Sequence, residues 1–109
     1  MAHRVLLTKA AERDLEAIFD YIAGESGSTA AEAVAARLLE LCGTLASLPD
    51  RGNTPAELAA HRVRQFREVH SPPYRVIYRV RGGDAIVVAI VDGRRNVAAF
   101  LRGRLARLD

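Results

Sequence analysis

A single cysteine, Cys42, in 109 residues leaves no partner for an internal disulfide and too few thiols for a cysteine-rich metal site. No apolar run approaches the roughly 18 residues that a membrane-spanning helix needs. The first residues, MAHRVLLTKAAERD, carry an apolar patch too short for a signal peptide, so the cytoplasm is the expected compartment. There is no Walker loop, zinc-finger spacing, HExxH or GxSxG. The histidines His3, His61 and His70 fall at a strand start, in a loop and in a turn, so neither a metal triad nor a cofactor is expected. Lysine is almost absent, one against fifteen arginines, a choice that a GC-rich coding sequence would also produce. Coding bias does not explain the segregation of sign: residues 1–50 carry a net charge of −4 and residues 51–109 of +7. A basic half suits a polyanion or an acidic protein partner.

What is present is ordinary globular material. Half the residues are hydrophobic and 27% are charged, which argues against disorder. The length predicts one domain spanning residues 1–109. His3–Leu7 reads as a short strand, with Thr8 as the N-cap of a first helix. That helix carries its apolar stripe on Ala11, Leu15, Ile18, Phe19 and Ile22. Residues 24–28 break the pattern. A second helix starts near Ser28 or Thr29, where Thr29-x-x-Glu32 fits a capping box. Its stripe runs through Val34, Leu38, Leu41, Leu45 and Leu48, broadened by Ala35, Leu39, Cys42 and Ala46. The short connection predicts an antiparallel αα-hairpin. Cys42 lies on the apolar flank, as a buried and inert thiol would.

After a connector at 49–62, Val63–Val69 reads as a strand whose inner face is not evident from its alternation. His70-Ser71-Pro72-Pro73 is expected to turn the chain into a hairpin. Its arms are 74–81 and 84–92, and Gly82-Gly83 supplies the turn. The run AIVVAIV has no polar member, so it should be buried on both faces at the centre of the sheet. Asn96 should cap a last helix with Val97, Leu101, Leu105 and Leu108 inward; Arg104 interrupts that stripe and Gly103 weakens the helix by roughly 1 kcal/mol. The order is β-α-α-β-β-β-α. It predicts an α+β fold with an antiparallel αα-hairpin on one face of a mostly antiparallel four-stranded sheet.

The chemistry-bearing residues that remain are arginines. Arg75, Ile77, Arg79 and Arg81 alternate onto one strand face, opposite Tyr74, Val76, Tyr78 and Val80. If the apolar face meets the helices, the arginine face is left uncovered. Arg94 and Arg95 follow at the exit of the central strand. Such a face can hold phosphates or carboxylates; it can equally be a solvated sheet face.

LEAIFDYI, LASLPDRG, VRQFREV, YRVIYRV, AIVVAIV and GRR, in that order, resemble the RelE/ParE superfamily of bacterial toxin–antitoxin toxins along nearly the whole chain. LEAIFDYI and the 49–52 corner resemble the ParE branch in particular. The resemblance implies one of two activities, ribosome-dependent mRNA cleavage in RelE-type members or DNA gyrase poisoning in ParE-type members. Arg75 matches the motif arginine of the nucleases and Arg95 (or Arg94) the second; His70 would be the base if the chain were a nuclease. Phe66 and Glu68 stand where the best-known nucleases place lysines, and no tyrosine follows Tyr78. RNA cleavage needs proton transfer as well as cations, so the ParE-like activity is the expected one, with no confident catalytic residue. A RelE-like mRNA endonuclease and a non-toxic antitoxin-binding relative are the alternatives. The resemblance implies Arg75, Arg79, Arg94, Arg95 and the last helix as target contacts. It also implies a cognate antitoxin seated in a groove of the hairpin and sheet edge, on Leu15, Phe19, Ile22, Leu38 and Leu39. No membrane contact is expected, and direct nucleic-acid binding is left open.

Overall fold

The computed structural model describes residues 3–108. In chain order its elements are β1 (Arg4–Leu7), α1 (Lys9–Ser26), α2 (Ser28–Gly43), the short α3 (Ala56–Ala59), β2 (Arg67–Ser71), β3 (Tyr74–Arg81), β4 (Asp84–Asp92) and α4 (Val97–Leu105). The strands lie in the order β1-β4-β3-β2. Two of the three pairings are antiparallel and β1 runs parallel to β4, so the sheet is mixed. The β3–β4 hairpin has the expected bounds, and Gly82 takes the left-handed φ of +60° that its tight turn requires.

β4 is central and buried on both faces, with a β-bulge breaking its alternation. Ile77 pairs with Ala89 but Tyr78 pairs with Val87, so Val88 is the extra residue. Ala85, Val87 and Ile90 therefore face one core, while Val88, Ala89 and Val91 face another. The first core lies under the helix hairpin and holds Ala11, Leu38, Cys42, Leu45, Val76 and Tyr78. The second lies on the opposite face of the sheet, where Leu58, Phe66, Val97 and Leu101 cover Ile77 and Val91. The arginine face is consequently not an open sheet face. Ile77, in the middle of it, is fully buried, because α3, α4 and the segment before β2 form a second layer.

Local expectations shift for identifiable reasons. Thr8 caps α1 by accepting from the Ala11 amide at 3.1 Å. The capping box at Thr29 does not form: α1 runs on to Ser26, Gly27 alone separates the helices at φ +92°, and no side chain caps α2. The α2 stripe also ends early. The α-helix stops at Gly43 and tightens to a 3₁₀ turn over Thr44–Ala46, which leaves Leu48 56% exposed. Residues 63–66 are not a strand. Val63 donates back to the Leu58 carbonyl and Phe66 enters the second core, so pairing with β3 begins at Arg67. It continues through Ser71, which places His70 on the strand rather than in the turn.

The corner 49–52 is fixed by one tyrosine. The Tyr78 hydroxyl donates to the Pro49 carbonyl at 2.7 Å and accepts from the Gly52 amide at 3.2 Å. A side chain at residue 52 would collide with the Glu68 carbonyl, so this close approach requires glycine.

Candidate functional site

Arg75 projects from β3 into the second layer, with its side chain 15% exposed. Its guanidinium meets two carboxylates. Glu57, from α3, accepts from both terminal nitrogens at 2.8 and 2.7 Å. Glu68, from β2, accepts from Nε at 2.6 Å and from Nη2 at 3.1 Å. The Glu68 side chain is 5% exposed and also holds His70 Nε2 at 2.8 Å. Hydrogen bonding to Arg75 lowers the Glu57 pKa, and the Glu57 and Glu68 partners raise that of Arg75 against its burial. Four of five guanidinium N–H groups are thus committed within the chain, in a planar two-sided grip that lysine could not make. Three residues singled out from the sequence, His70, Arg75 and Glu68, do come together. They form a closed ion-pair network. Glu57 is its unforeseen fourth member, and its only sequence signal is an acid on a single helical turn in the connector.

Arg79 lies over the Phe66 ring at 5.9 Å, and its buried Nε has no partner among the described residues. Arg94 is exposed and turns back on Asp92, two residues away, at 2.6 Å. Arg95 lies 5.2 Å from the Phe100 ring centre and makes no ion pair with a carboxylate among the described residues. The predicted contact set is therefore divided. Arg75 is internal, Arg94 is self-paired, and Arg79 and Arg95 retain donors.

Arg104 has a role its place in an apolar stripe concealed. It donates to both oxygens of Asp14 at 2.6 and 2.8 Å and to the Val88 carbonyl at 2.9 Å. Asp14 in turn accepts from the Ile90 amide at 3.0 Å. β1 ends opposite Val87, so these two side chains satisfy backbone groups that lose their strand neighbour. The same pair fastens α4 to α1. Phe100 is covered by Arg104 as well, at 4.7 Å.

On the outer side of the helix hairpin, Leu15, Phe19 and Ala35 line a shallow groove of about 290 Å³ rimmed by Glu16 and Asp20. Leu39 is half exposed, whereas Leu38 is fully buried and cannot line a surface without repacking. Leu15 is partly withdrawn against the first core, and Ile22 is partly buried. Burial pushes the Cys42 thiol up to about 11. No cluster of three potential metal ligands occurs among the described residues, and no described helix is long and apolar enough to cross a membrane.

Comparison with known proteins agrees with this architecture. Residues 5–97 match the family model described as the ParE toxin of the type II toxin–antitoxin system parDE. Toxin ParE3 of Caulobacter vibrioides is 30% identical over 98 residues, 90% of this chain and 94% of the relative. Among solved structures, a chromosomal ParDE system from P. aeruginosa superimposes with a TM-score of 0.72 at 22% identity, covering 84% of this chain and 96% of the other. The RelBE2 toxin–antitoxin complex of Mycobacterium tuberculosis gives 0.63 at 18% identity, covering 84% and 99%. At those identities the structural matches establish the fold, and the family match over most of the chain establishes the rest: this chain belongs to the ParE toxin family of type II toxin–antitoxin systems.

Proposed function

We propose that this toxin acts on DNA gyrase, trapping the enzyme on cleaved DNA and so arresting replication, and that a cognate antitoxin neutralises it. The observation that carries this reading over RNA cleavage is the Arg75 network. A ribonuclease would need that arginine to face a phosphate and a nearby group to remove the 2′-hydroxyl proton. Here Glu57 and Glu68 occupy the guanidinium, and His70 Nε2 is engaged with Glu68. The position that should attract a phosphate carries two carboxylates for one arginine. Arg79 and Arg95, with donors to spare, are the target contacts this geometry favours over Arg75.

An antitoxin partner is supported by the solved relative, which is itself a toxin–antitoxin complex. The groove at Leu15, Phe19 and Ala35, beside the exposed Leu39, is its proposed seat on the helix hairpin. The test is purified toxin incubated with gyrase and supercoiled plasmid. Accumulation of cleaved gyrase–DNA complex is the expected result. Full supercoiling activity without cleaved complex, together with cleavage of transcripts in a translating extract, would reverse the assignment in favour of the nuclease.

A further inference from the structure

The short helix α3 ends in a sharp reversal. Arg62 sits in the left-handed region at φ +61°, and its amide donates to the Ala59 carbonyl at 3.0 Å. The Val63 amide donates to the Leu58 carbonyl at 2.9 Å. This is a Schellman closure, made here without the glycine that usually takes its left-handed position. It folds Val63 back beside Leu58 and sets His61 at the rim of a cavity of about 210 Å³ between α3 and α4. Leu101 and Leu105 form the facing wall. Leu58 and Leu101 are buried, whereas Val63 and Leu105 are half-buried, so the cavity has an apolar floor and an open mouth.

The mouth is basic. Arg102, in the last turn of α4, lines the cavity together with His61, and both carry N–H donors. Arg102 is exposed and makes no ion pair among the described residues. The carboxylate at the same lining, Glu57, is committed through both of its oxygens to Arg75 and leaves Arg102 unanswered. The volume limits what can enter. An apolar cavity of about 150 Å³ takes up benzene, so this one suits a single six-membered ring or a short branched chain and excludes two rings.

We propose that the cavity between α3 and α4 binds a small amphipathic carboxylate, a single ring or short branched chain with its charge at one end. The apolar part lies against Leu58, Leu101 and Leu105, and the carboxylate accepts from Arg102 and His61 at the rim. The site is separate from the helix-hairpin groove and from the Arg75 network, and it does not depend on gyrase being the target. Its walls come from two elements, so an occupant braces α3 against α4.

The test uses the isotopically labelled full chain titrated with benzoate, with neutral benzamide and cationic benzylamine as controls, followed by methyl resonances. For so small a ligand a Kd of about 1 mM is expected. Benzoate should shift the methyls of Leu58, Ala98, Leu101 and Leu105 in one saturable process and leave those of Leu15 and Leu39, on the helix hairpin, unmoved. Arg102→Gln should weaken binding by about tenfold, the scale of one charge-assisted hydrogen bond at an exposed site. Ala98→Phe, which lines the same cavity, should abolish it by placing a ring where the ligand's ring would lie. Benzamide or benzylamine binding as well as benzoate would overturn the proposal. So would undiminished binding to either variant, or the absence of a saturable shift at about ten times the expected Kd.

Discussion

Glu57 holds Arg75 by two nearly equal hydrogen bonds, 2.8 and 2.7 Å, joining a four-residue helix to the third strand of the sheet. Glu68 completes the grip from the second strand. The connector before β2 is therefore fastened by charge as well as by Leu58. Arg75→Ala strips the nearly buried Glu68 of its strongest partner. Its expected cost is about 3 kcal/mol, the low end for leaving a buried charge unpaired. Arg75→Lys should recover only part of it. Urea unfolding monitored by circular dichroism measures both.

The same pair makes stability depend on acid. Glu57 has its pKa lowered from 4.5 by Arg75, so its folded value lies below its unfolded one. The stabilisation is then fully present above pH 4.5 and is lost as pH falls through the lowered folded value. Asp92 shifts the same way through Arg94, but it is solvated and contributes little. Urea midpoints taken between pH 7 and pH 3 should decline less steeply for Glu57→Gln than for the parent chain.

Arg104→Met keeps most of the apolar stem but releases Asp14, the Val88 carbonyl and the tie between α4 and α1. With both side chains partly exposed, a loss of roughly 2 kcal/mol is expected, below the fully buried case. Hydrogen exchange should rise in residues 97–105 and at Ile90, and stay unchanged at Val76 and Tyr78.

Gly52→Ala places a methyl group against the Glu68 carbonyl and the Tyr78 hydroxyl. Backbone has to move, so about 1–3 kcal/mol of destabilisation is expected. Tyr78→Phe loses only the two hydrogen bonds of the same corner and should cost about 1–2 kcal/mol. Thermal unfolding of the two variants compares the collision with the lost bonds.

Cys42, 2% exposed and with its thiol pushed up to about 11, should resist iodoacetamide at pH 8 in the folded chain and react once urea unfolds it. Mass spectrometry of the alkylated protein reads both states.

The hairpin and its bounds were legible because a glycine pair and two β-branched runs are local signals. The first helix cap was legible for the same reason: Thr8 acts on Ala11, three residues away. The second layer was not. Its members Leu58, Phe66 and Leu101 are scattered over weakly patterned segments, and only the tertiary fold brings them over Ile77. Strand alternation puts the arginines of β3 on one face, but it carries no information about their partners. Glu57 lies 18 residues from Arg75 and Asp14 lies 90 from Arg104, beyond any local periodicity. Arg104 looked like a flaw in an apolar stripe because the acceptors it serves, on β4 and α1, belong to other parts of the chain.

The extra residue Val88 acts as a change of phase in the code of β4. Before it, odd-numbered positions 85 and 87 face the helix hairpin; after it, the even-numbered Ile90 does. A polar substitution scan along this strand would therefore show two interleaved patterns that exchange parity at one point. Removing Val88 would restore a single parity along the strand, leaving Ala85, Val87 and Ile90 on the hairpin side and taking one apolar side chain from the second core.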